Sequence, residues 1–477
     1  MKVYNSLTFQ KEEFKSIRPN EVLMYVCGPT VYDSPHLGHA KSAVAFDIIS
    51  RYFKFKGYNV KNVKNYTDID DKIIKRANER NIDFETLSNQ YIDEYEEIMK
   101  LLNVQKDFKN PRATEVITYM IEMIKGLIDK GNAYESMGSV YYDVSSFPKY
   151  MTILQKIKED DIEEEMEDEV ENSMVLASGK REVKDFALWK NSKEGEPFWE
   201  SPWGKGRPGW HIECSAMALN YLGDTIDIHG GGRDLKFPHH RNEIAQSEAH
   251  TGKTFANYFM HNGFVNIDNE KMSKSLDNFF LVSDVAREYD PMVIRFFLLS
   301  SHYRRSINYS LENMTQAKKN YEKIVNTIQR IYKLDTEETD PSNLKELIST
   351  IDAAEMKIVD AMDDDFNTPV AIAEILTVFK DLNRIIFEKR VAVNNEIKNK
   401  FFNFIEKIDK IFGIFPNLIK NLEAGSMGTE NEKDKLIKDL LNLLKDTRSK
   451  LRAKKDYDIS DYIREKLKEL GLNIEDK

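Results

Sequence analysis

The 477-residue sequence predicts an α/β protein: a parallel-sheet domain with an insertion, then an all-α helical bundle and a small C-terminal region. Three observations carry this expectation. Apolar strand runs alternate with helical segments between residues 21 and 81. An acidic run and Gly/Pro-rich sequence then separate that alternation from a further strand. From Leu311 onward the apolar spacing is helical almost to the end.

The elements follow in order. Glu21 to Cys27 is an apolar run of buried-strand type that ends at Gly28-Pro29. Leu37 to Lys56 has helical spacing and is closed by Gly57. Asn59 to Asn65 is a second strand, and Asp70 to Asn81 a second helix. Strand, helix, strand, helix at this spacing implies βαβ units and a parallel sheet. Such sheets bind ligands at the carboxyl ends of their strands, where Cys27 and Asn65-Tyr66-Thr67 fall. Ala113 to Lys130 is a helix and Ser139 to Val144 a short β piece. The acidic stretch from residue 159 to 171 and the Gly/Pro-rich segment Gly195 to Gly209 complete an insertion. Thr225 to His229 restarts the sheet. Further helices are expected at Asp352–Met362, Val370–Phe387, Glu396–Phe412, Lys433–Lys454 and Tyr457–Leu470, with breaks at Pro341, Pro369 and Pro416.

Composition narrows the function classes. Lys+Arg total 69 against 80 Asp+Glu, a net charge of −11, which argues against non-specific coating of nucleic acid. Two cysteines exclude a disulfide scaffold. No apolar run approaches the ~18 residues of a membrane span. The start, Met1-Lys2-Val3-Tyr4, has no apolar secretory core, so a cytoplasmic location is expected.

Four constellations carry chemistry. His36-Leu37-Gly38-His39 opens the first long helix, whose N-terminal N–H groups favour phosphate. Gly38 permits close approach of a nucleotide. Alone, the pattern suits a structural histidine pair equally well. Lys271-Met272-Ser273-Lys274-Ser275 follows the loop Asp268-Asn269-Glu270 and places two cations among small polar residues. That suits transient charge on a leaving pyrophosphate, or a solvated basic turn. His239 and Glu243 are four apart and share a helix face. With Cys27 and Cys214 they make a donor set that zinc accepts, though two buried thiols beside a surface His–Glu pair would read the same. Lys445, Arg448, Lys450, Arg452, Lys454 and Lys455, just before Tyr457, combine cations with an aromatic ring in a manner suited to single-stranded RNA, though an ordinary solvated helix face would read the same.

Jointly these motifs resemble the cysteinyl-tRNA synthetases, class I aminoacyl-tRNA synthetases. The resemblance is carried by Cys27 to Asp33 leading into His36–His39, by Asn65 to Lys72, and by Pro208 to Ser215. Lys271 to Ser275 and Asp363 to Pro369 extend it. It implies a Rossmann-type catalytic domain in two halves (1–112 and 206–265) around a connective insertion (113–205). A KMSKS loop and stem-contact region (266–310), a helical bundle (311–420) and an anticodon-binding region (430–477) would follow. It also implies Cys27, Cys214, His239 and Glu243 as zinc ligands. Thr67, Trp210 and His229 would surround the cysteine substrate. His36, Gly38, His39, Gly232, Asp234 and Lys274 would hold ATP with its magnesium, and His36, His39, Lys271 and Lys274 would serve catalysis. Arg452, Lys454, Lys455 and Tyr457 would contact tRNA. The implied partners are L-cysteine, ATP and tRNA, with no membrane and a monomeric chain. Arg241 stands where the family pattern leads one to expect Glu. The nearest alternative is a mycothiol-type ligase joining cysteine to an amino-sugar. A non-catalytic RNA-binding or zinc-sensing relative is a further one.

Overall fold

The computed structural model describes residues 1–154, 179–267, 279–417 and scattered positions beyond (421–422, 444, 447, 451, 459–463 and 466), with the backbone alone at 270–271. Two units are present, Met1–Pro416 and Asn417–Lys477. All elements named below belong to the first. The acidic stretch, most of the KMSKS segment, and the basic residues before Tyr457 lie outside the described residues.

A hairpin, β1 (Lys2–Asn5) and β2 (Gln10–Glu13), precedes β3 (Glu21–Val26), α1 (Leu37–Phe55) and β4 (Asn59–Lys64). Then come α2 (Asp71–Arg80), α3 (Phe84–Leu101) and α4 (Ile117–Asp129). The expected helix from Ala113 begins as a 3-10 turn, Ala113–Val116, before α4. Next is an antiparallel sheet in sequential order: β5 (Ala133–Ser136), β6 (Ser139–Tyr142), β7 (Phe186–Asn191) and β8 (Gly206–Pro208). After it run α5 (Trp210–Leu222), β9 (Ile226–Gly232), α6 (His239–Thr251) and β10 (Ala256–Asn262).

Strands β10, β9, β3 and β4 form, in that order, a sheet whose pairs are all parallel. The central strand β3 is apolar and buried from Val22 to Val26, as a strand covered on both faces should be. Register alternates the faces. Tyr25 lies beside His229, and Val26 beside Gly230. A Cβ at Gly230 would stand 2.3 Å from the Phe46 ring of α1, so α1 lies tight against that face. His229 points the opposite way, stacking on Tyr25 with centroids 5.4 Å apart.

A small sheet, β12–β11–β13, follows from β11 (Val265–Ile267), β12 (Glu270–Lys271) and β13 (Ile307–Tyr309). Glu270, expected in a loop, pairs with Ile267. Helices α7 (Val282–Glu288) and α8 (Pro291–Leu299) lie between β12 and β13. The helical region is α9 (Leu311–Tyr332), α10 (Pro341–Asp363), α11 (Thr368–Leu382) and α12 (Asn395–Phe412).

Two expectations are corrected here. The helix expected at Asp352–Met362 starts at Pro341, because Asp340 caps it and a proline in the first turn lacks only an N–H that has no helical partner anyway. The helix expected to run to Phe387 ends as α-helix at Leu382 and continues as a π-type turn over Asn383–Glu388.

Three successive aspartates tie this helical region to the sheet domain. Asp363 accepts from Tyr52 at 2.7 Å and pairs with Lys56 at 3.1 Å. Asp364 pairs with Lys11. Asp365 is fully buried and accepts from the Tyr4 N–H, the Tyr303 hydroxyl and Arg304 at 2.7–2.8 Å.

Candidate active site and metal centre

Cys27 follows the last residue of β3. Cys214 lies in the first turns of α5, and His239 and Glu243 are one turn apart on α6. Dispersed over the sequence, the four meet with their donor atoms all within 4.8 Å of one another, and all four are buried. Glu243 Oε1 lies 2.9 Å from His239 Nε2 and 3.4 Å from Cys27 Sγ. Its Oε2 lies 2.5 Å from His229 Nε2.

The backbone forces this convergence. Gly28 lets β3 pass β4: a Cβ there would be 1.7 Å from the Asn65 carbonyl oxygen. At Gly209, before α5, a Cβ would be 1.9 Å from the Ala187 oxygen. Insertion residues brace α6. Tyr142 donates to the Ala245 carbonyl at 3.0 Å, and Tyr150 to Asn242 Oδ1 at 2.5 Å. Arg241 also turns to the insertion. It donates to the Ile153 carbonyl and lies over the Phe237 and Tyr150 rings. Its charge is spent there, which accounts for Arg at a position between two donors.

Burial and mutual charge set the protonation of the cluster. Burial pushes the Glu243 carboxyl up, but His229 and His239 outweigh it and hold it well below the usual carboxylate range. Burial pushes His239 down, and Glu243 outweighs that, raising it to about 10. Burial would raise Cys214, but the Cys27 and His239 hydrogen bonds bring it to about 6. Burial holds His211, His240 and His261 well below their ordinary value. Three buried polar atoms of the pocket lack hydrogen-bond partners: His229 Nδ1, His240 Nε2 and Glu213 Oε2. Two thiols, an imidazole and a carboxylate converging in a water-excluded pocket with unmet polar atoms fit a divalent metal ion.

Trp210 and Thr67 border this cluster. Trp210, 36% exposed, packs on His239 with centroids 4.1 Å apart. Thr67 is buried. Its hydroxyl accepts from Asn65 Nδ2 at 3.2 Å, and Asn65 Oδ1 accepts from the Gly28 N–H at 2.7 Å. Backbone bonds Thr67 N–H to Pro29 O and Val31 N–H to Thr67 O, both 3.1 Å, join the ends of β3 and β4. His229 lies on β9, which ends at Gly232. A Cβ at Gly232 would be 2.4 Å from Asp234 Oδ1.

The phosphate motif lies at the start of α1. His36 caps the helix, accepting from the Gly38 N–H at 3.1 Å, and its ring stacks on His39 with centroids 3.8 Å apart. The chain leaving the KMSKS segment returns to this point. Leu37 N–H bonds to Phe280 O, and Val282 N–H to Pro35 O. Lys271 is placed by its backbone, paired with Asn266. Lys274, Arg452, Lys454, Lys455 and Tyr457 lie outside the described residues.

Sequence reasoning overlooked three histidines. Of nine in the chain, His211, His229, His239, His240 and His261 lie in this pocket. His211 Nδ1 is 2.9 Å from His239 Nδ1. His240 Nδ1 is 2.9 Å from His261 Nε2, and His261 Nδ1 is 2.9 Å from Ser6 Oγ. The one available signal was the doublet His239-His240.

Comparison with known proteins bears on the whole chain. Residues 13–319 match the model of the tRNA synthetases class I (C) catalytic domain, and residues 357–416 match the DALR domain. A cysteine–tRNA ligase of Thermococcus gammatolerans is 46% identical over 481 aligned positions, covering 100% of this chain and 97% of the relative. One from Staphylococcus carnosus is 45% identical, covering 99% and 97%. Among solved structures, a Mycobacterium tuberculosis methionyl-tRNA synthetase with methionyl-adenylate superposes with a TM-score of 0.60 at 16% identity, covering 83% of this chain and 90% of that one. A LeuRS–tRNA–LeuAMS complex from Agrobacterium radiobacter K84 gives 0.61 at 12% identity, covering 87% and 86%. These two show a shared fold. The chain belongs to the cysteine–tRNA ligase family, with a class I catalytic domain followed by a DALR domain.

Proposed function

We propose that the protein is a cysteine–tRNA ligase that activates L-cysteine with ATP and transfers it to the terminal adenosine of its tRNA. In the first step the cysteine carboxylate attacks the α-phosphorus, and the bond to the bridging oxygen breaks to release pyrophosphate. In the second the terminal 2′-hydroxyl takes the cysteinyl group and AMP leaves.

The first step needs positioning and charge neutralisation more than covalent help. His36 and His39, with the N–H groups opening α1, would bind the ATP phosphates and their magnesium. Lys271 and Lys274 would stabilise charge on the departing pyrophosphate. Gly232, where even a Cβ would crowd Asp234, leaves the backbone open to the ribose, and Asp234 supplies an acceptor beside it. Thr67, Trp210 and His229 would form the walls around the cysteine. Arg452, Lys454, Lys455 and Tyr457 would contact the anticodon side of the tRNA. The chain would act as a cytoplasmic monomer.

Cys27, Cys214, His239 and Glu243 would hold one zinc ion. When bound, zinc offers a soft position that accepts a thiolate and rejects a hydroxyl, which separates cysteine from near-isosteric serine. The chain's contribution is to exclude water from that position, with Trp210 lying over His239. The observation that supports this reading best is the buried two-thiol donor set beside Thr67 and Trp210 in a chain of this family.

The test is aminoacylation of total tRNA with labelled cysteine against labelled serine, with zinc measured on the same preparation. Cysteine charging, negligible serine charging and about one zinc per chain are expected. Cysteine-dependent pyrophosphate exchange without charging would move the assignment to an amino-sugar ligase.

A further inference from the structure

The same pocket holds a second set of four donors, and it overlaps the first. Cys27, His229, His240 and Glu243 also have donor atoms all within 4.8 Å of one another, and all are buried. Glu243 lies between the sets. Its Oε1 faces His239 at 2.9 Å, and its Oε2 faces His229 at 2.5 Å. Cys27 Sγ reaches both sides, 3.4 Å from Oε1 and 3.7 Å from His229 Nε2. His239 and His240, adjacent in the first turn of α6, join different sets.

We propose that the pocket provides a second, overlapping position for a divalent cation, built by Cys27, His229, His240 and Glu243, which one ion can occupy in place of the first. The proposal rests on the reading of this pocket as a metal site.

Three observations carry it. His240 Nε2 is fully buried without a partner, so it bears an uncompensated desolvation penalty that a cation would relieve. The other ring nitrogen of His240 is held 2.9 Å from His261, which is in turn 2.9 Å from Ser6 Oγ. A supported second nitrogen is the usual arrangement of a ligating histidine. Glu243, with Oε1 toward His239 and Oε2 2.5 Å from His229 Nε2, already presents one carboxylate oxygen to each donor set.

Charge limits occupancy to one ion at a time. Two divalent cations would bring four positive charges against at most three negative ones, from Cys27, Cys214 and Glu243, in a buried site. With one thiolate in place of two, the second position is the weaker one for zinc. An ion there is bound by neither Cys214 nor His239, the ring on which Trp210 packs. It would be retained by the chain without forming the thiolate-selecting wall.

Cobalt(II) titrated into the metal-free full-length chain tests this by stoichiometry and thiolate-to-cobalt charge-transfer absorption. The wild type should bind one cobalt with two-thiolate intensity. Cys214→Ser should bind one cobalt with about half that intensity per ion. Cys214→Ser/His240→Gln should lose the cobalt, and Cys214→Ser/His239→Asn should keep it. His240→Gln alone should retain the two-thiolate spectrum, which shows that the substitution leaves the pocket folded. The proposal is overturned if Cys214→Ser takes no cobalt with far-UV circular dichroism unchanged. It is equally overturned if His239→Asn, rather than His240→Gln, abolishes binding in the Cys214→Ser background. A wild-type chain that takes no cobalt overturns the metal reading itself, and this proposal with it.

Discussion

Two fully buried polar clusters flank the catalytic sheet, and they are finished differently. In one, Asp47 of α1 accepts from Arg51 Nε and the Gln105 N–H, both at 2.8 Å, and from Arg295 of α8. Arg295 also donates to the carbonyls of Phe412, Leu102 and Asn103 at 2.8–3.2 Å. Gly413, at φ +59°, ends α12 against both guanidiniums, and a Cβ there would stand 2.7 Å from Arg51 Cζ. Cations at a helix C-terminus suit its dipole. No buried side-chain nitrogen or oxygen of Asp47, Arg51 or Arg295 lacks a partner, whereas the candidate metal pocket leaves His229 Nδ1, His240 Nε2 and Glu213 Oε2 unmet. The contrast teaches that burial alone does not mark a site. A buried cluster completed by the protein is architecture, and one left incomplete awaits a ligand.

The largest expected effect tests the completed cluster. Arg295→Met removes its hydrogen bonds and leaves Asp47 with Arg51 and the Gln105 N–H, so unfolding should become easier by about 3–5 kcal/mol in urea denaturation. Zinc content of the folded fraction should stay at the wild-type level. Loss of zinc at unchanged stability would break the comparison, because it would make both clusters parts of one metal-dependent unit.

Cys27→Ser addresses the incomplete cluster and comes next. Cys27 belongs to both donor sets, so this variant should lose all metal, whereas Cys214→Ser should keep a weaker-bound ion. Loss of a direct ligand should exceed the 10- to 100-fold cost typical of outer partners. Cysteine-dependent pyrophosphate exchange should therefore fall by about 10³-fold, near 4 kcal/mol. Zinc retained at the wild-type level in Cys27→Ser would remove Cys27 from both sets.

Lys41 stands between the two extremes on the same helix. It is buried, with Nζ donating to the Arg305 carbonyl at 2.7 Å, and burial brings its pKa down to about 7. An unfolded lysine titrates near 10.4, so between these values the unfolded chain binds more protons and stability rises with pH. Lys41→Met should be more stable than the wild type at pH 6, by about 4 kcal/mol, and the gap should close toward pH 10. A gap that does not change with pH would mean that Lys41 stays charged in the fold.

How much of this was readable from the sequence depends on distance along the chain. The strands β3 and β4 and the helix α1 follow from apolar runs, Gly57 and local spacing. The helix α3 went unassigned, although Asp83 caps it and its moderate apolar stripe buries Leu87, Tyr91, Ile92 and Tyr95. Pro341 was taken as a break, whereas Asp340-Pro341 is a helix start. At the site, spacing alone exposes only the His239–Glu243 pair. Cys27 and Cys214 could be added by donor type, but only the resemblance favoured them over two unrelated thiols, since no local rule links residues that far apart. His240 and His261 required the packing of α6 on β9 and β10, which only the folded chain supplies. The completed cluster was equally hidden, because Asp47, Arg295 and Gly413 each look ordinary alone.

The smallest effect decides to which kind of cluster Thr67 belongs. Its hydroxyl closes a chain from the Gly28 N–H through Asn65, and it borders the metal pocket. Thr67→Val keeps the shape and removes the hydroxyl, leaving Asn65 Nδ2 without this acceptor. One hydrogen bond is worth about 0.5–1.5 kcal/mol, so either stability or catalysis should register a change of that size. If Thr67 touches the substrate, the KM for cysteine should rise by about tenfold, with zinc content and urea midpoint near the wild-type values. If Thr67 is architecture in the manner of Asp47, the loss should appear in the urea midpoint, and the KM for cysteine should stay put. The two outcomes separate cleanly because the substitution changes no charge and contributes to neither donor set, so a shift in KM alone would place Thr67 on the ligand side of the comparison.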